Sequence, residues 1–143
     1  METTPGCCIF AINKDNEVLL VKNKSYVHDK FLLELPAGYI DKKESEEDSA
    51  KRELLEETGY EAEKLEYLGE IYVKPNRTNK ITHSFLARNV IKVSKQKLDE
   101  SEDIKVLKID LDRLIEMIDK NEFKTSDMLA TTLLALLKLN EIK

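Results

Sequence analysis

Three glutamates, Glu53, Glu56 and Glu57, fall close together near the end of the stretch GYIDKKESEEDSAKRELLEETGY at 38–60, which carries eight acidic side chains in all. If the stretch is helical, and Ala50 is set at zero, Leu54 falls at about 40°, Glu57 at about 340°, Glu53 at about 300° and Glu56 at about 240°. The three glutamates then share a face that adjoins the Ala50 and Leu54 stripe expected to enter the core. Their repulsion there is less screened than it would be in open water. Glu53 and Glu57 are a like-charge i, i+4 pair and Glu53 and Glu56 an i, i+3 pair, each costing roughly 0.2–0.5 kcal/mol. Glu56 and Glu57 also occupy the last turn, where the negative end of the helix dipole disfavours an anion by about 0.3–1 kcal/mol. Lys51 and Arg52 offset part of this charge, with Arg52 expected on a different part of the helix. A solvated charged face is the plain reading of such composition. The placement favours another: a divalent cation reverses both penalties, and carboxylate oxygens are what hard ions such as Mg²⁺ prefer. A metal held there would also admit a diphosphate that bare glutamates repel.

The elements that must position this face can be read on either side of it. CCIFAI at 7–12 and EVLLVK at 17–22 read as a hairpin across the turn NKDN. FLLEL at 31–35 reads as a third strand, stopped by Pro36 and Gly38. Ser45 and Asp48 fit a capping box that opens the helix, and Gly59 suits its C-terminal cap. LEYLGEIYV, ITHSFLA, VIKV and IKVLKI follow as strands, with KPNRTNK at 74–80 a polar turn. LDRLIEMI after Asp110 and DMLATTLLALLK after Ser126 have helical apolar spacing and N-cap residues.

Composition sets the outer limits. The 143 residues, 41% hydrophobic and 36% charged, suit one soluble domain spanning 1–143. A net charge of −5 argues against a general nucleic-acid partner or an acidic membrane surface. LATTLLALL at 129–137 is far short of a bilayer span, and METTPGCC lacks the features of a signal peptide, so the expected location is cytoplasmic. Cys7 and Cys8 are adjacent, point to opposite faces of a strand and read as buried residues rather than a disulfide or zinc pair. His28 and His83 have no partners at ligand spacing.

The acidic stretch resembles the signature of the Nudix hydrolases, G-x5-E-x7-R-E-U-x-E-E-x-G-U with U a bulky apolar residue. Gly38, Glu44, Arg52, Glu53, Leu54, Glu56, Glu57, Gly59 and Tyr60 match it at every specified position. The resemblance implies an α+β (mixed α/β) fold, an α/β/α sandwich around a mixed β-sheet. It implies hydrolysis of a nucleoside diphosphate linked to another group, with Mg²⁺ as cofactor and Mn²⁺ as a substitute. Glu53 and Glu57 then correspond to metal ligands, with Glu56 and the carbonyl of Ala37 beside them. Glu44 and Arg52 correspond to a structural pair, and Gly38 and Gly59 to backbone requirements. A metal would neutralise phosphate charge and activate a water, leaving a carboxylate base to take its proton. In the ADP-ribose pyrophosphatases of the family that base often lies on a later acidic loop, which DESEDIKV at 99–106 resembles. Glu100 is the first candidate, Glu102 the second, and Glu56 the candidate within the box.

The approach LLELPAGYID and Pro75, sixteen residues after Gly59, resemble the ADP-ribose and nucleotide-sugar branch, making ADP-ribose the favoured small-molecule partner. KPNRTNK departs from the Ser-Pro-Gly and following glutamate usual there. At the position of a phosphate-binding arginine stands Ser25, with Lys22 and Lys24 nearby. Tyr39, Tyr72 and Phe31 are candidates to stack on a base, though an aromatic beside a strand also reads as core. The alternatives are a nucleoside triphosphate pyrophosphatase and a non-catalytic nucleotide sensor. A homodimer is implied by the resemblance alone.

Overall fold

The computed structural model describes residues 3–99 and 103–140. Its centre is β1, Gly6–Ile12, buried along its whole length, as expected of an unbroken apolar run with a layer on each side. β2 is Glu17–Ser25, β3 Lys30–Glu34 and β4 Ala37–Tyr39. After helix α1, Glu46–Thr58, come β5 Tyr60–Glu61, β6 Lys64–Tyr72, β7 Ile81–Arg88, β8 Ile91–Lys92 and β9 Lys105–Asp110. Helices α2, Leu111–Asp119, and α3, Ser126–Lys138, follow.

Seven of these strands form one sheet, with the path β3-β2-β1-β7-β6 and with β4 joined to β1 and β9 to β2. β1 and β7 run parallel from Gly6↔Thr82 to Ile12↔Arg88, while the other pairs in the sheet are antiparallel. The sheet is therefore mixed. Residues of alternate parity on β1 feed two cores. Cys8, Phe10 and Ile12 pack with Leu114, Met117 and Leu136 of α2 and α3, and Cys7, Ile9 and Ala11 pack with Ala50 and Leu54 of α1. The result is the α/β/α sandwich expected, with the two free cysteines buried on opposite faces.

The expected hairpin of β1 and β2 holds only at its turn, where Ile12 faces Val18. Beyond that pair the strands part, and the next segment fills the gap. β3 lies along β2 from Val21↔Glu34 to Ser25↔Lys30, Leu35 and Pro36 cross over, and β4 lies along β1 from Gly6↔Tyr39 to Cys8↔Ala37. Pro36 fits this crossing because its carbonyl accepts from Ile9 N–H at 2.9 Å while its own missing donor costs nothing there. AGY, expected to end the third strand, is thus a strand in its own right, set under α1.

α1 begins as its sequence predicts. Ser45 is extended, at φ −71° and ψ 162°, and its side chain accepts from Asp48 N–H at 3.1 Å, while Glu46, Glu47 and Asp48 place negative charge in the favourable first turn. The helix ends at Gly59, whose φ of 78° is left-handed, a region that costs a residue with a Cβ about 1–2 kcal/mol. A Cβ there would also overlap the Ser94 carbonyl oxygen. For α3 the N-cap is Thr125, with Ser126 already inside the helix. The Thr125 hydroxyl turns away from its own helix and donates to Glu34 Oε2 at 2.9 Å. None of the helices among the described residues is long and apolar enough to cross a membrane.

Candidate active site

Glu53 and Glu57 of α1 stand against β4. A Cβ at Gly38 would overlap the carboxyl group of Glu53, so glycine is what lets that carboxylate lie directly on the strand backbone. Glu57 is buried at 8% exposure, and its Oε1 accepts from Ala37 N–H at 2.8 Å. Both carboxylates therefore meet the same short strand, at successive residues. Beneath them, burial pushes the Cys7 thiol up to about 12, with Glu53 adding to the shift; the thiol stays protonated and behaves as packing.

Arg52 takes a larger part than its place on the helix surface suggests. Its Nε donates to Glu44 Oε1 at 2.9 Å, one terminal nitrogen to Glu53 Oε1 at 2.9 Å and to Glu56 Oε2 at 3.3 Å, and the other to the Tyr39 carbonyl at 3.3 Å. Burial works against its charge, but the bonds to Glu44 and Glu53 outweigh this and raise its pKa. The expected pairing of Glu44 with Arg52 is present, and Ser49 extends it, donating to Glu44 Oε1 at 3.1 Å and accepting from Asp41 N–H at 3.2 Å. The expectation that Arg52 lies apart from Glu53 and Glu56 is corrected. A long side chain reaches around the helix, whereas the angular projection gives only the direction of its first bond.

The end of α1 is satisfied from outside the helix. No basic side chain occupies its last turn. Instead Lys97 N–H donates to the Glu56 carbonyl at 2.7 Å, and Val93 and Ser94 N–H donate to that of Gly59 at 2.8 and 3.1 Å. The Gln96 amide donates to the Glu57 carbonyl at 2.7 Å and to the Ile104 carbonyl at 3.0 Å. Gln96 and Ser49 were not singled out in the sequence. Ser49 lies within the box at an unspecified position, and nothing local marks Gln96, because its partners are 39 and 8 residues away.

The other candidates are spread more widely. Tyr39 is 63% exposed, with the Lys80 ammonium 5.7 Å from its ring centre. Pro75 lines a cavity of about 300 Å³ with Tyr72 and Lys80. Lys22 and Lys24 both stand over the Phe31 ring, and Lys24 pairs with Asp29 at 3.1 Å. Alternation along β2 puts these two lysines on the same side as Val18 and Leu20, opposite α1. His83 bonds to the Tyr67 hydroxyl through Nδ1 at 2.8 Å. Glu100 and Glu102 lie outside the described residues.

Among the described residues no three His, Cys, Asp or Glu side chains converge tightly enough to cage a metal by themselves. The donor set nevertheless fits Mg²⁺, which is commonly held by one or two carboxylates together with water and substrate phosphate. Glu53 and Glu57, side by side on the β4 backbone, are such a pair, and Arg52 shows that a cation is accepted among Glu53 and Glu56.

A mixed sheet between helical layers, with a glutamate helix set against a glycine strand, defines a Nudix-type domain. The NUDIX domain pattern matches residues 2–130, and the chain belongs to that family. It is 32% identical over 120 residues to an ADP-ribose pyrophosphatase of Bacillus subtilis, covering 82% of this chain and 65% of that protein. Over 135 residues it is 31% identical to a methanol dehydrogenase activator of Bacillus methanolicus, covering 92% and 73%. A GDP-mannose pyrophosphatase of Yersinia enterocolitica is 33% identical over 128 residues, covering 83% and 66%. The crystal structure of an ADP compounds hydrolase superposes with a TM-score of 0.86 at 22% identity, covering 97% of this chain and 74% of that one.

Proposed function

We propose that the protein is a divalent-metal-dependent hydrolase of nucleoside diphosphates linked to a second group, with ADP-ribose as substrate and AMP and ribose 5-phosphate as products. The observation that carries this reading is the seating of Glu53 and Glu57 on the backbone of Ala37 and Gly38. Two of the pyrophosphatases that the chain resembles act, by their names, on nucleoside diphosphate-sugars. Glu53 and Glu57, with Glu56 and the Ala37 carbonyl, would hold the metal. When bound, it supplies charge neutralisation at the diphosphate and a water of lowered pKa.

The chain's own groups prepare the site. Gly38 leaves room for the Glu53 carboxylate, and Arg52 fixes the position of Glu53 and Glu56 while anchoring the loop through Glu44. Glu100 is proposed as the base that takes the proton of the attacking water, with Glu102 second. Tyr39 and Pro75 remain the proposed substrate contacts, whereas Lys22 and Lys24, on the face of the sheet opposite α1, are set aside from that role.

The test is turnover of a panel comprising ADP-ribose, GDP-mannose and nucleoside triphosphates with Mg²⁺ and with a chelator. Hydrolysis of ADP-ribose to two monophosphates, abolished by chelation, is expected. Release of pyrophosphate from triphosphates alone would replace this reading with the triphosphatase one, and binding without turnover would make the protein a sensor. Glu100→Gln is expected to lower kcat by roughly 10² to 10⁴ with Mg²⁺ and substrate affinity kept. Wild-type turnover in both Glu100→Gln and Glu102→Gln would return the base to Glu56.

A further inference from the structure

We infer that Gln96 is a positioning residue for the metal-binding turn of α1. The inference rests on the reading of Glu53 and Glu57 as metal ligands. Glu56 and Glu57 occupy a helix end that is unfavourable for them, since the last carbonyls carry partial negative charge and the last turn itself has no basic residue, Arg52 reaching Glu56 from the turn before. Those carbonyls need donors. Lys97 N–H supplies one to Glu56, and the Gln96 side chain supplies one to Glu57. The two hydrogens of one amide nitrogen are both used, at 2.7 Å to Glu57 and 3.0 Å to Ile104. Because both partners are carbonyl oxygens, only the NH₂ end of the amide can make this bridge.

The bridge has two consequences for Glu57. Its carbonyl is fixed by Gln96 and its carboxylate by Ala37 N–H, so the residue is held at both ends. Ile104 is buried and directly precedes β9, which pairs along β2. Gln96 thus ties the helix end to the sheet through a route independent of β4. Removing the amide lets the last turn shift against the strand. It also makes the local potential more negative, which alone would attract a cation. Geometry outweighs this, because Mg²⁺ and ions of its size demand ligand oxygens at closely set distances.

The experiment is calorimetric titration of Mn²⁺ into nucleotide-free protein, with thermal unfolding in chelator as its partner measurement. Gln96→Met keeps length and neutrality without a donor. It is expected to weaken Mn²⁺ binding by roughly 10- to 100-fold, the usual effect of removing a group that orients a metal ligand. Leu136→Ala, in the core on the opposite face, is expected to lower the unfolding temperature at least as much and to keep wild-type Mn²⁺ affinity. Unchanged affinity in Gln96→Met, or an equal loss in both variants, overturns the positioning role. Absence of Mn²⁺ binding in the wild type overturns the metal reading on which it rests. Should Gln96→Met fail to fold, Gln96→Asn serves instead. It keeps the donors but is one methylene too short to bridge both carbonyls, and wild-type affinity there also overturns the inference.

Discussion

In Glu57→Gln the amide oxygen can still accept from Ala37 N–H, so the bond at 2.8 Å survives while the charge is lost. The expected outcome is unaltered unfolding in metal-free buffer, aided slightly by relief of repulsion with Glu53, and loss of turnover at saturating Mg²⁺. Glu57→Ala removes the acceptor as well, leaving a backbone N–H without its partner at a cost of about 1–3 kcal/mol, read in urea unfolding. Near-wild-type turnover in Glu57→Gln would reject a metal role for the carboxylate. Gly38→Ala separates stability from activity in the other direction. The added methyl collides with the far end of the Glu53 side chain, which can swing aside, so the fold should keep its stability. The displaced carboxylate should cost most of the activity. A large fall in stability without a larger fall in kcat would show that the clash is taken up by the backbone.

Between elements, the bond from Thr125 to Glu34 joins the start of α3 to the end of β3, just before the chain crosses to β4. Burial raises the pKa of Glu34, and nearby Asp127 adds to the shift, against the lowering effect of its bonds to Thr125 and Asn23. The sign follows from that direction. A carboxyl with a raised native pKa penalises the folded state only where it ionises, so the penalty sets in as pH rises through the unfolded value near 4.5 and is complete above the raised native value. Glu34→Gln, which can still accept from Thr125, is therefore expected to stabilise the protein at neutral pH and to leave stability unchanged near pH 3. A uniform shift at both pH values would mean that ionisation is not the cause. Features of this kind also mark the limit of what the chain discloses by itself. Ser45, Asp48 and Gly59 could be read because a cap is made within four residues, and the glutamate face because a helix repeats. The strand at Ala37–Tyr39 was hidden because three residues carry no period, and its pairing is decided by Pro36 and by the parting of β1 from β2. The bridge at Gln96 depends on partners that only the folded sheet brings near.

For the molecule as a whole, metal binding should appear as stability. A ligand at about 100 times its dissociation constant stabilises the state that binds it by about 2.7 kcal/mol. Unfolding followed with Mg²⁺ and with chelator is expected to differ by a concentration-dependent shift, and no shift at any Mg²⁺ concentration would argue against a site in the native fold. The parallel pairing of β1 with β7 joins Gly6 to Thr82, and this sets an order of events during synthesis. Every residue of the glutamate signature has been made once Tyr60 is added, yet β1 still lacks its neighbour β7, and the segment 93–97 that holds the helix end does not exist. The nascent chain at that point has a complete signature and no site. Closing so long a loop is slow, so metal competence is expected only after β7 and the segment 93–97 have joined the sheet and the helix end, not with the helix that bears the ligands.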